Sequence, residues 1–232
     1  MNTIEFSNQF DVELNSFGFS GLQINLDEYE KSVFLTKAQE SIVENLYNGN
    51  LGLSFEESEG LRRYLSDLVR TIEIKESIEY PNHKPISKNS KFYMLPDNLW
   101  FITYESIIIK DNNECKDGRE LMVTPIAQDE YRRTFGNPFR GANERRALRL
   151  DVNNNMVEIV SRYSIDKYIV RYIKKLNPII LTTLPDELTI QGKKEISDCE
   201  LHPALHKSIL DTAVQLALKT RSLGANGGDN QS

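Results

Sequence analysis

Apolar positions recur at helical spacing near both ends of the chain and at strand spacing through its middle. Phe6, Phe10 and Leu14 stand at i, i+4 and i+8, which allows a short helix. Phe17-Gly18-Phe19-Ser20-Gly21 breaks that pattern. Residues 1–25 therefore read as an N-terminal arm. It is either an extended segment that docks by Phe17 and Phe19 or a loop packed on its own domain. Asp27–Tyr47 is the clearest helix of the N-terminal half, with Leu35, Ala38, Ile42 and Leu46 on one stripe. Asp27 and Glu30 have the spacing of a reciprocal capping box, and Asn48-Gly49 supplies the stop. A second helix is predicted from Ser54, with Glu57 three residues on and Leu61, Tyr64, Leu65 and Leu68 as its apolar positions.

From Arg70 the period changes to two. Thr71–Ile74 alternates as a half-buried strand does, and Tyr80–Asn89, with two prolines, reads as a loop. Lys91–Leu95 is a short strand stopped by Pro96-Asp97-Asn98. Leu99–Lys110 and Glu120–Ile126 form a hairpin about the turn from Asp111 to Gly118. Gln128–Phe135 allows one or two helical turns, and Gly136-Asn137-Pro138-Phe139-Arg140-Gly141 is irregular. Ala147–Val152 and Met156–Arg162 flank Asn153-Asn154-Asn155 as a second hairpin, and Leu188–Ile190 is a short, weak strand.

Tyr168–Leu223 holds the strongest core-forming residues of the C-terminal half. Tyr168–Lys174 is a strand. Pro178 marks the point beyond which the chain is expected to run out along the surface. The last helix is predicted over Pro203–Ser222, with Leu205, Ile209, Ala213, Leu216 and Thr220 in one stripe, widened by Leu210, Val214 and Ala217. Gly224–Ser232 has the composition of a disordered tail. These elements predict an α+β fold: an N-terminal helical pair, a central antiparallel β meander and a C-terminal helix packed on the sheet. The expected organisation is an arm over residues 1–25, one α+β domain over 26–222 and a tail over 223–232.

Composition narrows the function classes. The chain has 232 residues, 39% of them hydrophobic and 27% charged, and a formal net charge of −6. An acidic balance argues against a dedicated nucleic-acid binder but leaves room for a local basic patch. The N-terminus lacks a basic region followed by an apolar one, so no secretory signal is expected. No run approaches the ~18 apolar residues of a membrane helix, so no membrane partner is expected. Cys115 and Cys199 have no CxxC spacing and read as free thiols.

Two groups of residues could carry chemistry. Cys199, His202 and His206 have near ligand-like spacing. However, Pro203 favours the first helical position and places His202 outside the helix. The remaining histidine, His83, is distant in sequence, so a packing role is preferred and no metal or cofactor is expected. Arg132, Arg133, Arg140, Arg145, Arg146 and Arg149 fall within 18 residues, interleaved with Tyr131, Phe135 and Phe139. Asp129, Glu130 and Glu144 leave that segment a charge of only +3. Arginine and aromatic residues are enriched in subunit interfaces, and they also bind phosphate and stack on bases. Interface and nucleic-acid readings both remain, as does simple intramolecular pairing. No phosphate loop, GxSxG or HExxH motif supports an enzyme.

Leu26–Glu40 resembles the first long helix of virion proteins of crAss-like bacteriophages of gut bacteria. Phe55-Glu56-Glu57-Ser58-Glu59, Asn137-Pro138-Phe139-Arg140, Pro178-Ile179-Ile180-Leu181 and Cys199–Ala217 extend the resemblance in order over residues 26–217. Residues 75–90 carry no family landmark. The resemblance implies a head–tail connector protein without catalytic residues. Such proteins form a closed ring, commonly of twelve copies, below the portal and around the DNA channel. The implied partners are further copies of the chain, the portal and neighbouring ring or tail proteins, with DNA passing through the lumen without specific binding. The implied location is the head–tail junction of a virion made in the bacterial host cytoplasm. A closed ring needs two different complementary faces per subunit. The acidic helical pair, with nine acids and four bases over residues 27–67, and the arginine segment are candidates for those faces. Phe17 and Phe19 of the arm are candidates for contact with neighbouring rings.

Overall fold

A computed structural model describes residues 1–16, 25–48, 63–80, 84–111, 117–153 and 155–226. The chain divides into two compact units. One comprises Met1–Asp67 and Leu176–Ser232, and the other Leu68–Lys175.

The first unit is built on helices α1 (Thr3–Ser16), α2 (Glu28–Asn48) and α4 (His206–Asn226). Phe6, Phe10 and Leu14 of α1 are buried, as their spacing predicts. The capping box of α2 is formed: the Glu30 amide donates to Asp27 Oδ1 at 2.7 Å, and the Asp27 amide donates to Glu30 Oε2 at 3.2 Å. Such caps are worth about 1 kcal/mol. Lys31 is buried, and its ammonium donates to Asp11 at 2.7 Å and Glu28 at 2.9 Å. Burial works against that charge, but the two carboxylates outweigh it and hold the Lys31 pKa above its ordinary value. The second predicted helix, from Ser54, falls mainly on residues 49–62, outside the described residues. Leu65 and Leu68, at its expected end, are buried.

Two expectations about the C-terminal half are corrected. Helix α4 buries its stripe against α2 and α1, the helices of its own unit, where packing on the sheet was expected. Ile209, Leu210, Ala213, Val214 and Ala217 are the buried residues of that face. The segment after Pro178 also does not run out along the surface at once, since Ile179, Ile180 and Leu181 are buried. The cause is a polar stripe on α2. Thr36 Oγ1 accepts from the Ile179 amide at 3.1 Å, Ser32 Oγ accepts from the Leu181 amide at 3.0 Å, and Gln39 Nε2 donates to the Asn177 carbonyl at 2.9 Å. An extended backbone can be buried only where its polar groups are paired. Here a helix supplies the partners that a neighbouring strand usually would. Residues predicted as a weak strand at Leu188–Ile190 instead enter a tight turn. Gln191 (φ 52°) and Gly192 (φ 76°) are its two left-handed central positions, as a type I′ turn requires.

The second unit is a seven-stranded sheet in the order β1-β7-β3-β4-β5-β6-β2. Its strands are β1 (Val69–Ile74), β2 (Lys91–Met94), β3 (Leu99–Lys110), β4 (Glu120–Ile126), β5 (Arg146–Asn153), β6 (Met156–Val160) and β7 (Ser164–Lys174). The β3–β4 and β5–β6 pairs are antiparallel, as the sequence predicts. The expected wholly antiparallel meander is corrected at one position: β4 and β5 pair in parallel, Met122 opposite Arg146 and Ile126 opposite Leu150. Ile78, four residues past the end of β1, bridges Phe92 on the opposite edge strand β2. Four residues span at most about 14 Å, so the two sheet edges curl toward each other.

The inner face of that curl is the main core, including Tyr93, Ile107, Leu121, Val157, Tyr168 and Val170. It also holds an ion pair. Arg149 Nη1 donates to Glu105 Oε1 at 2.6 Å, and the Tyr168 hydroxyl donates to Glu105 Oε2 at 2.5 Å. Burial pushes the Glu105 pKa up, while the Tyr168 hydrogen bond and the Arg149 charge pull it back. Arg149 is 12% exposed and Glu105 6%. Breaking such a pair from one side leaves the other charge buried and uncompensated. Glu105→Leu should therefore cost about 3–5 kcal/mol of stability, and Glu105→Leu with Arg149→Met should recover most of it. Urea unfolding followed by the fluorescence of Trp100, the single tryptophan, measures both.

Candidate interface surfaces

The parallel β4–β5 pair dictates the most prominent surface feature. Parallel neighbours need a crossover of a dozen or more residues, and residues 127–145 provide it. The crossover carries the short helix α3 (Tyr131–Phe135) and then the irregular Gly136–Gly141 segment. It lies over the outer face of β5 and β6, where Ala142 and the half-buried Tyr131 pack with Leu148, Leu150 and Val160.

The tip of the crossover is held from several sides. Asn137 Oδ1 accepts from the amides of Phe139 (2.9 Å) and Arg140 (3.2 Å), and the Gly141 amide donates to the Asn137 carbonyl at 2.7 Å. Arg146 Nη1 donates to the Phe139 carbonyl at 3.1 Å. Gly141 is buried, and a Cβ there would stand 2.8 Å from the carbonyl oxygens of Asn137 and Phe135. Glycine is thus required by space at this position. The product is a fixed loop whose apex, Phe139, is 84% exposed.

The structure separates the arginines of the sequence cluster. Arg132, Arg133, Arg140 and Arg145 are exposed on the crossover around Phe135 and Phe139. Arg146 is half-buried and bonds to the loop backbone. Arg149 belongs to the inner face and the Glu105 pair. It was indistinguishable by sequence from the others, although its place on an alternating strand between Leu148 and Leu150 is the available signal. Phe17 and Phe19 lie outside the described residues.

Cys199, His202 and His206 each have a structural occupation. Cys199 Sγ donates to Gln39 Oε1 at 3.3 Å, and burial pushes its pKa up to about 11. His202 caps the turn Pro203–Leu205, its Nδ1 accepting from the Ala204 amide at 3.2 Å, and its ring stacks on Tyr64 at 4.4 Å. His206 is buried, with Nε2 3.0 Å from the Leu201 carbonyl and Nδ1 2.7 Å from the Met1 ammonium. These partners make Nε2 the protonated nitrogen of a neutral ring. Among the described residues no group of three or more His, Cys, Asp or Glu side chains is arranged to hold a metal ion. Cys115 and His83 lie outside them. No helix among the described residues is long and apolar enough to cross a membrane.

A second surface was not singled out from the sequence. Residues 180–197 double back on themselves. Ile180 and Ser197 exchange backbone bonds at 3.0 and 3.1 Å, the Leu184 amide donates to the Lys194 carbonyl at 2.9 Å, and the type I′ turn closes the end. Ile180, Leu184 and Ile190 form a buried cluster with Tyr29 and Val33 of α2 against it. The exposed side of this hairpin carries Asp186, Glu187 and Glu195, with Asp198 just beyond it, and Lys193 and Lys194, the last paired with Asp186 at 2.6 Å; Leu188 and Ile196 stand among them, the latter 56% exposed.

Two measurements check these assignments. Gly141→Ala should destabilise the chain by about 1–3 kcal/mol, as overpacking does, and speed hydrogen exchange of the Gly136–Asn143 amides. Burial lowers the His206 pKa, with the Leu201 carbonyl opposing. The neutral ring is therefore favoured by the folded state. Full stability is present above the unfolded value of about 6.5 and is lost as pH falls through the lower folded one. Melting temperature should drop over that window in the native chain, and His206→Leu should flatten the drop.

Comparison with known proteins places this geometry. The family model described as phage tail ring protein 3/4 matches residues 1–229. The chain is 46% identical over 226 residues to Ring protein 3 of Bacteroides phage crAss001, covering 96% of this chain and 97% of that protein. It is 36% identical over 228 residues to Ring protein 4/5 of the same phage, covering 94% and 92%. The chain belongs to the tail ring protein 3/4 family of crAss-like phages, structural ring components of the virion and not enzymes.

Proposed function

We propose that this ring protein forms one closed ring of the head–tail connector, twelve copies below the portal, through which DNA passes without being specifically bound. The observation that carries the reading is the fixed crossover with its exposed Phe139. A rigid aromatic anchor ringed by arginines is the composition of an interface centre. Arg132, Arg133, Arg140, Arg145 and Arg146 with Phe139 are the proposed contact between subunits of the ring. Phe17 and Phe19 of the N-terminal arm are proposed to reach the portal or a neighbouring ring or tail protein.

An acidic chain suits a lumen for sliding DNA, because phosphate contacts dominate nucleic-acid affinity. Two of the six clustered arginines, Arg146 and Arg149, are also engaged within the chain. The nucleic-acid reading of the same segment predicts tight, salt-sensitive binding of duplex DNA by the isolated protein. The ring reading predicts no shift of duplex DNA at low salt.

Mass photometry and electron microscopy of the assembled connector test the ring. Twelve subunits in a closed ring are expected. Replacing Arg132, Arg133, Arg140 and Arg145 by alanine should weaken assembly at least tenfold and reduce its dependence on salt. Unchanged assembly of that variant would remove the crossover from the interface.

A further inference from the structure

Charge is distributed unevenly between the two units. Leu68–Lys175 contains 19 Lys and Arg against 15 Asp and Glu, whereas the rest of the chain contains 9 against 19. The strand unit thus carries +4 and the helical unit −10 within a total of −6. Each unit also presents a surface where exposed apolar side chains sit among charges mostly of one sign. On the strand unit it is the crossover, with Phe139 84% and Phe135 49% exposed among Arg132, Arg133, Arg140 and Arg145. On the helical unit one such surface is the hairpin of residues 180–197, with Ile196 56% and Leu188 38% exposed near Glu187, Glu195 and Asp198; of its two lysines, Lys194 is paired with Asp186 at 2.6 Å and Lys193 is exposed. Both are exposed within a single chain.

We propose that the acidic hairpin is the receptor for the arginine–phenylalanine crossover of a second copy of this chain. This inference rests on the crossover being a subunit contact, as proposed above, and adds its partner surface. The chemistry matches on both counts: carboxylates meet guanidinium groups and aliphatic side chains meet phenylalanine. Because the two surfaces differ, they can meet head to tail, the kind of contact that builds a ring. Both are also held in place before they meet, the crossover by Asn137, Gly141 and Arg146 and the hairpin by its turn and its cluster with α2. Preformed surfaces lose less entropy on docking.

Two variants with surface substitutions test the pairing. The loop variant carries Phe139→Ser, Arg140→Ser and Arg145→Ser. The hairpin variant carries Glu187→Lys, Glu195→Lys and Ile196→Ser. Circular dichroism checks that each folds, and sedimentation velocity of the full chain measures association. Each variant alone should self-associate at least tenfold more weakly than the native chain. An equimolar mixture should give heterodimers and nothing larger, since it contains one intact loop and one intact hairpin per pair. If the loop variant is impaired while the hairpin variant assembles normally, the hairpin pairing is overturned and the crossover remains an interface to another surface. If the loop variant assembles normally, both readings fall. Absence of heterodimers in the mixture, or a native chain that remains monomeric at every concentration tested, also overturns the pairing.

Discussion

One parallel pairing shapes the outer surface of this protein. Every other neighbouring pair in the sheet is antiparallel, but β4 and β5 run in the same direction. A chain that leaves the end of one strand and enters its parallel neighbour must travel back along the sheet. Residues 127–145 make that journey outside the sheet, on the face of β5 and β6. Their apolar members Tyr131 and Ala142 cover Leu148, Leu150 and Val160. The rest of the crossover is left on the surface, where the arginines and Phe139 stand. The feature proposed to join subunits is thus a consequence of strand order, fixed locally by one asparagine side chain and one glycine with no room for a Cβ.

Much of the architecture is legible in the sequence. The capping box at Asp27 and Glu30, the helical stripe of α2, and the strands Leu99–Lys110 and Glu120–Ile126 are local patterns, and local patterns survive folding. His202 outside its helix followed from Pro203 in the same way. What escaped was long-range. Nothing in β4 or β5 announces a parallel pair, because strand direction is set by the path of the connection. The buried state of residues 179–181 depends on Ser32, Thr36 and Gln39, more than 130 positions away, and polar residues on a helix normally signal its wet face. Arg149 illustrates the same limit at the candidate site. In sequence it is one more arginine of a cluster, and only the neighbouring strands bring Glu105 and Tyr168 to it.

The inner and outer faces of the sheet divide the work. The inner face is a buried core in which Glu105, Arg149 and Tyr168 pair with one another, while the Tyr93 hydroxyl is buried without a hydrogen-bond partner. The outer crossover, anchored to that sheet, holds its shape without a partner. The helical unit does the equivalent for the hairpin of residues 180–197, which the polar stripe and apolar cluster of α2 keep in place. A ring component that must close on copies of itself benefits from surfaces of fixed shape and opposite charge, because errors in geometry accumulate around the ring. The histidines and cysteine near α4 serve the same end, as capping and packing groups of the element that closes the helical unit.

The most direct test of the crossover as a subunit contact is a photoreactive phenylalanine analogue placed at position 139 of the chain in assembled particles. Irradiation should yield covalent dimers of this chain as the main product. Particles in which position 139 reacts only with DNA, only with a different protein, or with nothing would contradict it.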